Sequence, residues 1–244
     1  MNRRSDNDPF EGLLLVDKPA GPTSHDIVDA IRRHFRFRKV GHGGTLDPMA
    51  TGLLVILLGR GTKLSNYVIG SDKTYEGTMR LGITTNTDDA DGEETGRADC
   101  AGVTRAQVEA EMKKLTGDLM QTPPMVSAVK VKGVPLYKLA RKGQEVEREP
   151  RLIHVYEFTL KQFASPEADF ILRCTKGTYV RTLCADIGRA LGCGAHLNRL
   201  RRTQSGRLTV ERAIALDKLL KLELPQLEEF VIPVHQVVLE GLHP

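Results

Sequence analysis

The sequence contains one carboxylate in a setting that favours chemistry, Asp47 in the glycine-rich stretch GHGGTLDP at residues 41–48. Gly43 and Gly44 allow the backbone to come close to a ligand, and a residue before proline is pushed towards an extended conformation. Aspartate has an ordinary pKa of about 3.9, so its carboxylate is ionised at neutral pH and can act as a nucleophile. The same residues also fit a helix start, with Asp47 as N-cap and Pro48 in the first turn. The pattern leaves both interpretations open.

Arg181 is the second candidate, because its position suggests an anionic partner. A helix is predicted around it by an apolar stripe, which consists of Val180, Leu183, Cys184, Ile187 and Leu191. Arg181 lies off this stripe and in the first turn, where the helix dipole opposes a positive charge. Its partner is either a carboxylate such as Asp47 or an RNA phosphate. An exposed arginine that is merely tolerated fits the same pattern.

Basic residues are clustered although the net charge is only +4. Residues 32–39 hold five Lys or Arg and no acid, and residues 178–207 hold six Arg against one acid. Residues 86–99, in contrast, hold six acids and one Arg. Basic clusters suit a polyanion, because each cation near a phosphate releases condensed counterions. The predicted RNA phosphate contacts are Arg36, Arg38, Arg199, Arg201 and Arg202; the alternative is a solvated charged surface.

Aromatic residues make up only 5% of the chain, so those near the basic segments draw notice. Tyr75 and Tyr179 are candidates for stacking on an unstacked base. His42, next to a glycine, is a candidate base contact or wedge. Each residue also fits a structural role in the core.

Several other classes of site are not indicated. The four cysteines show no C-x-x-C spacing, and no H-E-x-x-H pattern is present, so we expect no metal site. The stretch Gly59–Lys63 lacks P-loop spacing. The polar N-terminus is not followed by an apolar segment, and the longest aliphatic run, Leu53–Leu58, is too short to cross a bilayer. We expect a soluble, cytoplasmic chain.

Strands and helices are predicted to interleave without regular βαβ units. Apolar or alternating runs predict strands at residues 12–16, 53–58, 73–81, 127–131, 152–163 and 170–174. Capping boxes predict helices after Thr23 and Thr104, and helices are also predicted at residues 136–142, 180–191 and 216–222. The acidic stretch 84–98 is predicted to be a surface loop. This order favours an α+β fold around one mixed sheet.

Five blocks of the sequence together resemble the TruB family of tRNA pseudouridine synthases. The blocks occur in the family's order and are GLLLVDKPAGPTSHDIV (12–28), KVGHGGTLDPMATGLLVILLGRGTK (39–63), KTYEGTMRLGITTNTDDADG (73–92), QTPPMVSAVKVKGVPLYKLARKG (121–143) and CTKGTYVRTLCADIGRALGCGAHLNRLRRTQSGRL (174–208). The resemblance implies the pseudouridine synthase fold, with a largely antiparallel central sheet and flanking helices. Residues 1–10 are polar and predicted to be a disordered tail. We expect a catalytic domain at 11–222 and an irregular C-terminal tail at 223–244.

The resemblance assigns roles to the candidate residues. Asp47 matches the aspartate that attacks the target nucleoside, and Arg181 matches the arginine that pairs with it. Tyr75 matches the tyrosine that packs against the flipped base and is a candidate for proton removal at C5. Tyr179 matches an active-site tyrosine, and His42 the histidine that enters the T loop. Further residues in family positions around the pocket are Lys18, Pro19, Lys63 and Leu200.

The implied reaction converts a T-loop uridine of tRNA, at position 55, to pseudouridine. The base leaves its stack, the N1–C1′ bond breaks, the base turns, and C5 joins C1′. No redox change occurs, so no cofactor and no metal are expected. The sequence leaves open whether the carboxylate adds to C6, adds to C1′ or assists a glycal route. The expected partner is the tRNA T arm, and the expected state is a monomer without membrane contact.

The sequence departs from the family pattern in two places. It ends at Pro244, too early for the C-terminal PUA domain that many members carry, so it is expected to be a short form or a truncated chain. Gly61 stands where alanine is common, which is expected to be harmless. The alternatives are a tRNA-folding factor without chemistry, a guided synthase for ribosomal RNA and, most weakly, a P-loop phosphotransferase.

Overall fold

The computed structural model describes residues 8–127, 130–131, 133–136, 139, 143–144 and 146–239. The chain divides into two compact units. The first contains the residues up to Tyr75 and those from Leu200 onward, and the second contains Glu76–Arg199. The predicted α+β class with a mixed, largely antiparallel sheet is confirmed.

The elements follow in chain order. The strands are β1 (Gly12–Lys18), β2 (Val40–His42), β3 (Thr51–Leu58), β4 (Lys73–Leu81), β5 (Ile83–Thr85), β6 (Glu94–Arg97), β7 (Gly117–Gln121), β8 (Lys130–Val131), β9 (Val134–Pro135), β10 (Arg151–Ala164), β11 (Glu167–Cys174), β12 (Ala195–Ser205), β13 (Leu208–Thr209), β14 (Ile214–Ala215) and β15 (Val231–Pro233). The α-helices are α1 (Ser24–Phe35), α2 (Ser65–Gly70), α3 (Arg105–Lys114), α4 (Val180–Ala190), α5 (Leu216–Leu219) and α6 (Val234–Leu239). Three 3₁₀ helices cover Gly59–Leu64, Val210–Arg212 and Leu224–Phe230.

In the first unit, β1 and β3 form the centre of the sheet. They pair antiparallel along their whole length, from Gly12 opposite Leu58 to Lys18 opposite Gly52. On its other side β1 pairs with β14 in parallel and with β15 antiparallel. β3 pairs antiparallel with β2 and in parallel with β12. The predicted strands 12–16 and 53–58 are confirmed, and their uninterrupted aliphatic runs fit strands that are covered on both faces.

The core of this unit consists of aliphatic side chains from β1 and β3 and from the C-terminal segment. Its buried members are Leu13, Leu15, Leu53, Val55, Leu57, Val68, Leu208, Ile232 and Val237. Ile232 lies in β15 and Val237 in α6. Residues 224–239 are therefore ordered on the core, and the prediction of an irregular tail after residue 222 is wrong for this part. Residues 1–7, most of the predicted N-terminal tail, lie outside the described residues.

Helix α1 begins at the predicted capping box. The Thr23 hydroxyl accepts from the Asp26 backbone N–H, and the Asp26 carboxylate accepts from the Thr23 N–H at 2.8 Å. Ile27, Ile31 and Phe35 are buried along one face. The helix ends at Arg36, whose left-handed φ of 59° closes the last turn. The capping box thus fixes the start of a helix whose first turn also contacts the Asp47 loop.

Gly61 fits a position that has no room for a side chain. A Cβ atom at this residue would lie 2.2 Å from the carbonyl oxygen of Gly12 in β1. Because a backbone atom cannot rotate away, we expect Gly61→Ala to lower the free energy of unfolding by about 1–3 kcal/mol. Urea denaturation measures this change. Gly102→Ala is the control, since nothing lies within 4 Å of its Cβ position, and equal stability of the two variants would contradict the close approach.

In the second unit, β10 pairs antiparallel with β11 on one side and with β7 on the other. The rings of Phe158 and Phe170 lie 5.2 Å apart, edge to face, in its core. Helix α3 begins at the predicted Thr104–Gln107 capping box and contacts β10. The predicted strands 152–163 and 170–174 and the predicted helix 180–191 are confirmed. The predicted helix 136–142 lies mostly outside the described residues.

Several strands are not predicted from the sequence, among them β2, β7, β12 and the short strands β13, β14 and β15. The sequence of β12 shows only a basic segment, because the buried positions of this strand include Arg202 and so the apolar alternation is broken. The stretch predicted as a loop, 84–98, contains the β5–β6 hairpin, which pairs Ile83 with Arg97.

In the described part of the chain, the helices are too short or too polar to span a membrane.

Candidate active site

The first unit holds the Asp47 loop in one backbone conformation. The carbonyls of Gly44 and Thr45 accept from the Arg202 guanidinium at 3.1 and 3.4 Å. The Ser24 hydroxyl donates to the Leu46 carbonyl at 3.0 Å and accepts from the Leu46 N–H. The Asp47 carbonyl accepts from the Ala50 N–H. The half-buried Asp47 side chain is therefore presented by a backbone that is bonded on both sides of it.

Lys18 holds the other end of this loop. Its side chain is fully buried, and its ammonium donates to the carbonyls of Pro48 and Ala50 at 3.0 and 2.7 Å and to that of Pro19 at 3.0 Å. A buried ammonium requires such acceptors, because its desolvation would otherwise be costly. The contacts give Lys18 a role in shaping the loop. Whether it also contacts a substrate stays a prediction.

Arg202 links the Asp47 loop to Tyr75. Its side chain is 1% exposed, its Nε donates to the Leu53 carbonyl at 2.7 Å, and its guanidinium is hydrogen-bonded to the Tyr75 hydroxyl. The prediction that Arg202 contacts RNA phosphate is therefore wrong. A sequence pattern cannot distinguish a buried arginine from the exposed ones beside it.

His42 lies at the start of the loop with its Nδ1 buried and without a hydrogen-bond partner among the residues that the structure describes. Burial lowers the pKa of its imidazole below the ordinary value, and the positive charge of Arg202 acts in the same direction. The ring is thus neutral at physiological pH. Of the other predicted pocket residues in this unit, Pro19 and Lys63 are exposed, and Leu200 is 9% exposed.

The second unit holds Arg181 in a buried ion pair. Arg181 is 4% exposed, as is Asp89, and its Nη1 lies 3.2 Å from the Asp89 Oδ2. Its Nη2 donates to the Val126 carbonyl at 2.6 Å. The interpretation of Arg181 as an exposed, merely tolerated residue is therefore wrong. Its pairing with Asp47 stays a prediction.

Asp89 is itself fixed by the turn in which it lies. Its Oδ1 accepts from the Thr87 hydroxyl at 2.6 Å and from the Asp91 N–H at 3.2 Å. The Thr85 hydroxyl donates to its carbonyl at 2.7 Å. Asp88 beside it has its pKa raised by burial, which the charge of Arg181 partly opposes. The turn thus presents one fixed carboxylate to Arg181.

Tyr179 is positioned through its backbone, by Gln121 at the end of β7. The Tyr179 N–H donates to the Gln121 Oε1 at 2.8 Å, and the Gln121 Nε2 donates to the Tyr179 carbonyl at 3.1 Å. Gln121 is 6% exposed. This two-way contact orients the N-terminus of α4, where Arg181 lies in the first turn.

The other predicted phosphate contacts have accessible side chains. Arg36 and Arg38 are exposed at the end of α1. The Arg199 side chain is 67% exposed and pairs with Glu167, and the Arg201 side chain is 39% exposed and pairs with Asp17. These four arginines can meet a polyanion, as predicted from the clusters, whereas Arg202 cannot.

Sequence reasoning did not single out three side chains that fix the site: Ser24, Asp89 and Gln121. Asp89 is one of six acids in residues 86–99, and no local pattern separates it from the others. Ser24 lies inside the Thr23–Asp26 capping box and has no signal of its own. Each acts through a contact with a residue at least 22 positions away, which spacing along the chain cannot reveal.

In the part of the chain that is described, no group of His, Cys, Asp or Glu could hold a metal ion.

Comparison with family models gives two matches that together cover residues 32–239. The model described as TruB family pseudouridylate synthase (N terminal domain) matches residues 32–180. The model described as tRNA pseudouridylate synthase B C-terminal domain matches residues 181–239. The second match includes the C-terminal segment that packs on the core of the first unit.

In alignments with three curated relatives, between 46% and 54% of the aligned residues are identical to those of this chain. A tRNA pseudouridine synthase B of Opitutus terrae is 54% identical over 93% of this chain and 94% of its own length. Proteins of the same name from Saccharophagus degradans and Burkholderia pseudomallei are 46% and 49% identical. The alignments cover 89% and 86% of this chain and 71% and 69% of those proteins.

Solved structures with the same fold come from longer chains. A chain of the archaeal box H/ACA sRNP Nop10–Cbf5 complex is 30% identical with a TM-score of 0.64, over 86% of this chain and 53% of that one. A chain of an H/ACA RNP bound to a substrate RNA containing 2′-deoxyuridine is 26% identical with a TM-score of 0.66, over 96% and 63%. This chain thus spans somewhat more than half of each. The predicted pseudouridine synthase fold is confirmed.

Proposed function

We propose that this chain, which belongs to the TruB family of pseudouridylate synthases, isomerises a T-loop uridine of tRNA to pseudouridine. The observation that carries the proposal is the Asp47 loop. A carboxylate stands on a loop whose carbonyls are bound by Arg202, Ser24 and Lys18. Such a rigid presentation of one ionised group is what nucleophilic catalysis requires.

In the proposed reaction Asp47 adds to the nucleoside, or takes the 2′ proton in a glycal route, as the N1–C1′ bond breaks. The base turns and C5 bonds to C1′, and Tyr75 then removes the proton from C5. Arg181 keeps Asp47 ionised by opposite charge. Every heavy atom of the uridine is retained, C5 gives up one proton and N1 takes up one, so the balance of the reaction needs no redox partner and no added group.

The target base must leave its stack before it can react, at a cost of a few kcal/mol. We propose that His42 enters the T loop as a wedge and that Tyr75 packs on the displaced base. The lowered pKa of His42 supports this role, because a neutral ring can stack among bases without the desolvation cost of a charge. Tyr179, Pro19, Lys63 and Leu200 would complete the pocket around the base.

We propose the T arm as the region of tRNA that is bound, with exposed arginines on its phosphates and register set by RNA shape. The accessible Arg36, Arg38, Arg199 and Arg201 support this. The tRNA substrate implies a cytoplasmic enzyme, and we propose that it acts as a monomer.

The test is to map pseudouridine in an unmodified tRNA transcript after incubation with the protein. A new pseudouridine at the T-loop uridine, tRNA position 55, is the expected result. Product at a different uridine would contradict the proposed site. Tight tRNA binding without product would favour a folding factor that opens the T arm, and would overturn the assignment of an isomerase.

The binding proposal predicts a smaller salt dependence for Arg199→Ala. Loss of one phosphate contact is expected to reduce the slope of log K against log salt by about 0.7–0.9. Filter binding from low to high salt measures this slope. Arg97→Ala is the matched control, because Arg97 is 65% exposed and also pairs with a glutamate, Glu94. If both variants keep the slope of the unchanged protein, Arg199 faces away from the RNA.

A further inference from the structure

Arg202 is a buried cation whose contacts converge on two proposed reacting groups. Its guanidinium donates to the carbonyls of Gly44 and Thr45, which precede Asp47 by three and two residues, and is hydrogen-bonded to the Tyr75 hydroxyl. The remaining contact, with the Leu53 carbonyl, fixes the side chain against β3. Within the described residues none of these partners is a carboxylate. A buried guanidinium without a carboxylate is unusual, because its desolvation is only partly compensated.

Two glycines lie against Arg202. Gly52 in β3 has φ +95°, and a Cβ there would lie 2.3 Å from the Arg202 backbone carbonyl oxygen, so β3 approaches the Arg202 backbone more closely than a larger residue would allow. Gly44 has φ +124°, and a Cβ there would lie at an ordinary contact distance of 3.6 Å from the Arg202 Nη1. Both glycines adopt a conformation that L side chains rarely adopt.

We propose that Arg202 is a positioning residue that holds the Asp47 loop against Tyr75 and stabilises negative charge on the Tyr75 hydroxyl oxygen. The inference rests on the proposed function and adds a role that acts through Tyr75. In the step that Arg202 assists, Tyr75 is present as the phenolate, and its oxygen takes the proton from C5. The C–H electron pair restores the C5–C6 double bond, N1 takes up a proton from solvent, and Tyr75 later releases the C5 proton to solvent.

The electrostatic reason lies in the partners of Arg202. Among the described residues these are three backbone carbonyls and Tyr75, so a Tyr75 phenolate can balance the buried guanidinium. Burial lowers the pKa of Arg202 from its ordinary value, and the hydrogen bond with Tyr75 opposes that change. Opposite charges in contact favour each other's ionised forms. The hydroxyl oxygen that accepts from Arg202 still has a lone pair for the C5 proton.

The experiment combines Arg202→Met and Arg202→Lys with Tyr75→Phe and follows steady-state pseudouridine formation on tRNA, which gives kcat and KM. We expect Arg202→Met to lower kcat by about 100-fold with KM for tRNA changed less than about twofold. Arg202→Lys, which keeps the charge, should recover part of that loss. In the Tyr75→Phe background Arg202→Met should cost clearly less than about 100-fold, because the part of its effect that acts through Tyr75 is gone and only its hold on the Asp47 loop remains to be lost.

Leu13→Ala is the control for a purely structural effect. It removes a fully buried side chain of the core cluster, so it should lower the thermal midpoint while the folded fraction keeps its kcat. Losses that multiply in the double variant, or a raised KM with unchanged kcat, would overturn the role of Arg202. A lysine variant as slow as the methionine variant would also overturn it. Failure of the unchanged protein to form product would instead overturn the proposed function, and this inference with it.

Discussion

Asp47→Asn is expected to abolish pseudouridine formation and to leave tRNA binding within about twofold. The amide is isosteric with the carboxylate but has no negative charge, so it can neither attack the nucleoside nor accept a proton. The loop should keep its conformation, because Arg202, Ser24 and Lys18 hold it through backbone atoms. Loss of an essential nucleophile or base typically costs about 10⁴-fold or more in turnover.

Single-turnover mapping at the T-loop uridine, together with filter binding, separates the two effects of Asp47→Asn. Asp217→Asn is the control, because Asp217 is an exposed acid in the first turn of α5 and should retain full activity. Product formed by Asp47→Asn at a rate near that of the unchanged protein would remove Asp47 from the mechanism. Loss of binding together with turnover would show that the carboxylate is needed to hold the RNA.

Asp89→Ala is expected to destabilise the protein and to impair turnover. It removes the Asp89 carboxylate from Arg181, which is 4% exposed and whose Nη1 lies 3.2 Å from that carboxylate. Breaking a buried pair in this way costs about 3–5 kcal/mol of unfolding free energy. Activity should fall as well, because the 3.2 Å contact with Asp89 is what orients the guanidinium that is proposed to keep Asp47 ionised.

Urea denaturation and single-turnover rates measure the two effects of Asp89→Ala. Glu94→Ala is the control, because it breaks the exposed Arg97–Glu94 pair and should cost less than about 1 kcal/mol. The double variant Asp89→Ala/Arg181→Met also removes the buried charge of Arg181 and should recover stability without activity. If stability does not recover, Asp89 stabilises the protein mainly by fixing its turn, through the hydrogen bonds that its carboxylate accepts from Thr87 and Asp91.

The elements that local interactions control are predictable from the sequence. The capping boxes at Thr23 and Thr104 start helices where predicted, because their hydrogen bonds span three residues. The aliphatic runs of β1 and β3 form buried strands, because a continuous apolar segment must be covered on both faces. The five family blocks identified the fold, and they nominated Asp47, Tyr75 and Arg181 through the resemblance.

Tertiary structure alone decided which charged side chains are buried and what they bind. Arg199, Arg201 and Arg202 are nearly adjacent in sequence, yet two are accessible and one is fully buried between the Asp47 loop and Tyr75. Asp89 stands in a segment that also holds exposed acids, and it is buried and pairs with Arg181, 92 residues later. The burial of a charge depends on acceptors that distant segments supply, and such partners have no signature in the local pattern.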